Sequence, residues 1–160
     1  MPIKRFNPKS IAPPNSPSYH HGMDCSPNMR WLVLAGQVGK NPDGTLPSSF
    51  EKQCENVWDN IFAILAEGGM GREDIVRLTV YLTRREDREA NAAIRAKKMG
   101  GLAPASTFLL VAGLAQPEFL IEIDVLAAKD WRGAGISPVM AGLDPAIVTG
   151  GAASQLRESP

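Results

Sequence analysis

Phe119-Leu120-Ile121-Glu122-Ile123-Asp124-Val125-Leu126-Ala127 is the stretch whose patterning decides the fold. Successive side chains on a strand point to opposite faces. Phe119, Ile121, Ile123, Val125 and Ala127 therefore share one face, and Leu120, Glu122, Asp124 and Leu126 share the other. The first face is wholly apolar and has to be covered. The second mixes two leucines with two acids, so water suits it only in part. Such a strand predicts a sheet with helices on one face and a further partner on the second, for which self-association is the simplest candidate and the C-terminal segment the alternative.

The flanking segments supply the rest of that architecture. Thr107 to Ala112 reads as a strand joined to this one by a turn around Gly113 to Glu118. Before it, Glu86 to Met99 has helical composition and stops at Gly100-Gly101. Asp74 to Thr83 is a further strand, carrying Ile75, Val76, Leu78, Val80, Tyr81 and Leu82. Phe50, Cys54, Val57, Ile61, Ile64 and Leu65 recur at helical spacing, in a helix opened by a Ser48/Glu51 capping box and closed by Gly68-Gly69. Arg30 to Ala35 is a short apolar strand followed by the turn Asn41-Pro42-Asp43-Gly44. The order predicts an α+β layer, a mixed sheet with two helices packed on one face. Residues 1–130 form the expected domain, and 131–160, without sustained periodicity, the expected flexible tail.

Composition narrows the function. The 160 residues hold 17 basic and 17 acidic side chains, and that balance speaks against a broad phosphate-neutralising surface, so a nucleic-acid partner is not expected. No apolar run reaches the length of a membrane span, and the N-terminus lacks a signal-peptide core, so a cytoplasmic protein is the expectation. Cys25 and Cys54 are too few and too far apart for a zinc or redox motif, and Cys54 falls in the helical apolar pattern. His20 and His21 are adjacent and point apart in an extended segment. Gly36-Gln37-Val38-Gly39-Lys40 lacks phosphate-loop spacing. Neither a metal nor a nucleotide cofactor is expected.

Taken in order, Ser18-Tyr19, Leu34-Ala35-Gly36-Gln37, Asp74 to Leu82, Asn91, Pro104-Ala105-Ser106-Thr107 and Ile121 to Val125 resemble the RidA family, also called YjgF. The resemblance spans about residues 3–128 and implies a chorismate-mutase-like fold, a homotrimer, and small-molecule sites in clefts between subunits. It also implies hydrolysis of reactive imines or enamines to ketoacids and ammonia. Residue by residue, the family's cleft tyrosine falls on Tyr19, its strand glycine on Gly36, its helix asparagine on Asn91 and its glutamate on Glu122. The resemblance gives Glu122 the role of activating the attacking water, while Tyr19, Gly36, Asn91, Ser106 and Phe108 bind substrate.

One departure stands out. The family position that grips a substrate carboxylate with an arginine is Ser106 here, and a neighbouring cysteine position is Phe108. A hydroxyl replaces a charged fork, so weaker recognition of 2-imino acids is expected, with Ser106→Arg raising it. A non-catalytic small-ligand-binding or regulatory trimer of the same fold is the alternative function. An RNA-cleaving or translation-inhibiting protein is a third reading, disfavoured by the balanced charge and the lack of stacking aromatics on a basic surface. Without the resemblance, Glu122 reads as a solvated strand acid, and His20 and His21 as loop residues. The basic stretch Arg84, Arg85, Arg88, Arg95, Lys97 and Lys98 reads as a soluble helix face.

Overall fold

The computed structural model describes residues 3–130, so the expected tail at 131–160 lies outside the described residues. Four strands form one mixed sheet: β3 (Met29–Val38), β4 (Ile75–Leu82), β5 (Ala105–Leu110) and β6 (Ile121–Asp130), in the order β3-β6-β4-β5. The β6 strand pairs antiparallel with both β3 and β4, whereas β4 and β5 run parallel. That parallel pair needs a crossover, which helix α2 (Arg88–Met99) provides. Helix α1 (Phe50–Glu67) connects β3 to β4. A short hairpin, β1 (Lys4–Phe6) with β2 (Gly22–Asp24), was not foreseen from sequence; it carries no alternating apolar pattern to reveal it.

The alternation in β6 has the predicted consequence. Ile121, Ile123, Val125 and Ala127 are buried with Leu78, Val80 and Leu82 of β4, beneath Cys54, Val57, Trp58, Ile61 and Leu65 of α1. Met99 of α2 is buried in the same cluster, with Ala90 and Ile94 packed against it, so both helices cover one face. The opposite face is open: Val33 is 74% exposed, Trp31 and Leu109 are exposed too, and Glu122, Asp124 and Leu126 are half-buried.

Boundaries moved in places for local reasons. The N-cap of α1 is Ser49, whose hydroxyl accepts from Lys52 N–H at 3.3 Å, so the Ser48/Glu51 capping box is not formed. At the other end of the crossover, α2 stops at Gly100, held at φ +59°, with Gly101 at φ +85°. The strand expected at 107–112 begins two residues earlier, because pairing with Arg77 and Leu78 draws Ala105 and Ser106 into the sheet.

Polar residues of α1 fasten the strands that meet beneath it. Buried Gln53 donates to the carbonyls of Pro47 (2.9 Å) and Glu118 (3.0 Å), and its Oε1 accepts from Leu120 N–H (3.0 Å). Asn56 Nδ2 donates to Gly39 O and Asn41 Oδ1, and Asn60 Nδ2 to Val38 O and Lys40 O. The end of β3 and the start of β6 are thereby held against one helix, next to Gly36 and Glu122.

Candidate active site

Beside the edge strand β5, the loop bearing Tyr19-His20-His21 leaves a cleft of ≈ 290 Å³. Its lining is Tyr19, His20 and His21 from the loop, Arg77 from β4, and Ala105, Ser106 and Thr107 from β5. Two of the substrate-binding residues expected from sequence, Tyr19 and Ser106, therefore share one cavity. The loop is tied by Asn7, whose Oδ1 accepts from the His21 backbone N–H at 3.0 Å. That bond turns the amide Nδ2 toward His20 Nδ1, 2.8 Å away. His21 Nε2 donates to Ala12 O at 2.9 Å, and its ring meets Tyr19 edge-on. The Tyr19 hydroxyl donates to Asn15 Oδ1 at 3.1 Å.

Ser106 and Phe108 point to the helix side of β5, because they stand in register with Leu78 and Val80. There they meet α2. The Arg88 guanidinium lies 6.0 Å from the Phe108 ring centroid, and Arg95 Nη1 donates to Ser106 Oγ at 3.0 Å. Asn91 is buried on the same helix face, its Oδ1 accepting from the Cys54 thiol at 3.9 Å. Burial pushes that thiol up to about 12, so Cys54 is a neutral core donor. Asn91 does not reach the cleft lining in the single chain.

Arg95 corrects the view of the basic stretch as a solvated face: its side chain is buried, 8% exposed. Its Nη2 donates to Ser18 O at 2.8 Å, so it links the Tyr19 loop to β5, and its Nε is buried without a partner. Desolvation lowers its pKa from the ordinary arginine value. The spacing from Asn91 was the available signal: four residues on, it must share that helix face.

Glu122 belongs to a different place. It stands on the open face of β6, opposite Tyr81 of β4 and Val38 of β3. A Cβ built on Gly36 would lie 1.9 Å from Glu122 Oε1, so the carboxylate occupies the space that the glycine leaves empty. A register shift between Leu34 and Gln37 brings that glycine beneath it. The neighbouring Tyr81 hydroxyl donates to Asp124 Oδ2 at 3.0 Å, a bond that raises the phenol pKa above its usual value. Ser106 and Glu122 are two strands and three residues apart, on the order of 14 Å, and on opposite faces. The chain thus carries two separate groups of candidate residues, one at the sheet edge and one on its open face. Among the described residues, no group of three or more His, Cys, Asp or Glu side chains could hold a metal ion, and no helix is long and apolar enough to cross a membrane.

The fold and the cleft define a small α+β protein with a four-stranded mixed sheet, two helices on one face and a polar cavity at the sheet edge. Comparison with known proteins gives the family. A family model described as Endoribonuclease L-PSP matches residues 10–129. The 2-iminobutanoate/2-iminopropanoate deaminase of Escherichia coli is 31% identical over 129 residues, covering 76% of this chain and 98% of that protein. A RutC family protein of Aquifex aeolicus is 43% identical over 54 residues, 33% of this chain and 43% of its own. The crystal structure of a conserved Rid family protein of unknown function from Yersinia pestis superposes with TM-score 0.71 at 30% identity, covering 81% of this chain and all (100%) of that one. The chain belongs to the RidA (YjgF) family.

Proposed function

We propose that the protein is a cytoplasmic, homotrimeric hydrolase that deaminates a small imine or enamine in clefts between subunits. Its specificity is set by Ser106 in the position of the family's usual arginine. The observation that carries this reading is the Glu122 carboxylate seated over Gly36 on the open face of the sheet. A carboxylate held there can take a proton from water as its oxygen adds to the imine carbon. The resulting carbinolamine receives a proton on nitrogen, expels ammonia and leaves a carbonyl; an enamine enters by tautomerising to the imine. A neighbouring subunit packed on the open face brings its own β5 edge toward Glu122, which joins the two half-sites and covers Val33, Trp31 and Leu109.

The test is ammonia release from freshly generated 2-iminobutanoate, compared with Glu122→Gln. The expected result is turnover in the parent and a drop on the order of 100-fold or more in the variant, with an unchanged oligomer. Equal turnover in both would overturn the role of Glu122. Ligand binding without turnover in the parent would replace the enzyme with a binding protein of the same fold.

A further inference from the structure

We infer that Arg95, reaching from α2 to the back of Ser106, is the cation that gives the Tyr19–Ser106 cleft its preference for a carboxylate. The argument starts from an imbalance of charge. Arg95 is 8% exposed, yet among the described residues it makes no ion pair. Two of its five N–H groups are engaged, one to Ser106 Oγ (3.0 Å) and one to Ser18 O (2.8 Å), and both acceptors are neutral. Its Nε is buried with no partner at all. A buried guanidinium without a counter-charge is strongly unfavourable, and the usual resolution is an anion close by. The cleft beside it is where such an anion fits, since its other walls carry Arg77 and two imidazoles and no acid.

Ser106 is the connection. Its oxygen accepts from Arg95 Nη1, so its own proton is directed elsewhere, and Ser106 lines the cleft. A hydroxyl whose oxygen is bound to a cation is a stronger donor than a free one. A ligand carboxylate at the cleft wall therefore accepts from Ser106 O–H with the Arg95 charge directly behind it. The cation arrives from the helix, through a serine. Arg95 is on this reading a positioning residue that sets specificity, and it also holds the Tyr19 loop through Ser18.

This inference rests on the Tyr19–Ser106 cleft being the ligand half-site of the proposed function. The experiment measures equilibrium binding of 2-oxobutanoate and of its uncharged amide to the whole protein by calorimetry. The parent is expected to prefer the carboxylate. Arg95→Met is expected to weaken the carboxylate on the order of ten- to hundred-fold while amide affinity stays within about twofold. A purely structural role for Arg95 would weaken both ligands alike, and that result overturns the proposal, as does a parent without preference. Should Arg95→Met fail to fold, Ser106→Ala leaves the Arg95–Ser18 contact in place and is expected to lose the same preference. Ser106→Arg places a second guanidinium against the first and is expected to lower carboxylate affinity; a gain overturns the proposal. That reverses the expectation drawn from sequence alone. Because binding is read without turnover, an inactive protein that still prefers the carboxylate would refute the hydrolase and leave this inference standing.

Discussion

A methyl group on Gly36 would stand 1.9 Å from Glu122 Oε1 and 2.8 Å from its Cδ, far inside van der Waals contact. No left-handed backbone is required of Gly36, so alanine is conformationally acceptable there and the clash with Glu122 is the whole effect. The carboxylate end is flexible and its face open, so the side chain moves aside and the fold survives. On the proposed role of Glu122, Gly36→Ala is expected to lower turnover of an imine substrate on the order of ten- to hundred-fold, the penalty of misplacing such a group by about 1 Å. The melting temperature should change little. Undiminished turnover would show that the position of Glu122 is immaterial to the reaction. The sequence offered Gly36 as the family's strand glycine, a substrate-binding position; that it makes room for Glu122 was not legible, because the contact crosses a strand bulge. Arg95 was hidden differently, inside a run of exposed arginines and lysines that composition alone cannot divide into buried and solvated members.

Helix α1 does two kinds of work, and its sequence advertised only one. Its apolar stripe was readable from a period of 3.6: Phe50, Cys54, Val57, Ile61 and Leu65 are buried, and Ile64 at the margin is half-buried. Its polar residues Gln53, Asn56 and Asn60 carry no such signature, yet they fix the end of β3 and the segment leading into β6. Gln53 is 1% exposed and makes three hydrogen bonds to backbone groups. Gln53→Leu keeps similar bulk but leaves the Leu120 N–H and two carbonyls without their partner. The expected cost is about 2–3 kcal/mol, seen as a lower denaturant midpoint with an unchanged slope. Hydrogen exchange at Leu120 should accelerate more than at Val80 in the middle of β4. A loss below about 0.5 kcal/mol would mean that water replaces the amide without penalty. The strands were legible because burial on one side imposes a period of two; β1 and β2, exposed or half-buried throughout, impose none.

At the scale of the molecule, the open face of the sheet and the separation of the half-sites raise one question. Val33, Trp31 and Leu109 form apolar surface on the same face as Glu122, whereas Ser106 and Arg95 lie behind the sheet at its edge. No motion of a single chain short of unfolding the sheet brings Ser106 and Glu122 together. The proposed trimer answers both points at once, covering the apolar face and pairing each Glu122 with a neighbour's cleft. Val33 tests this, since it is 74% exposed in the chain and touches neither half-site residue in register, pairing instead with Leu126. Val33→Lys replaces apolar surface on the face that the proposed neighbour covers with a charge. Burying one valine side chain contributes roughly 1.5 kcal/mol or more, multiplied over the subunits, so the lysine should shift the assembly to monomers. Sedimentation would then report about 17.2 kDa, the mass of one chain. Circular dichroism should remain native, because the core between α1, α2 and the sheet is untouched. Turnover should fall to background although every site residue is still present. A folded monomer that retains full turnover would place the whole reaction within one chain and end the case for a cleft between subunits.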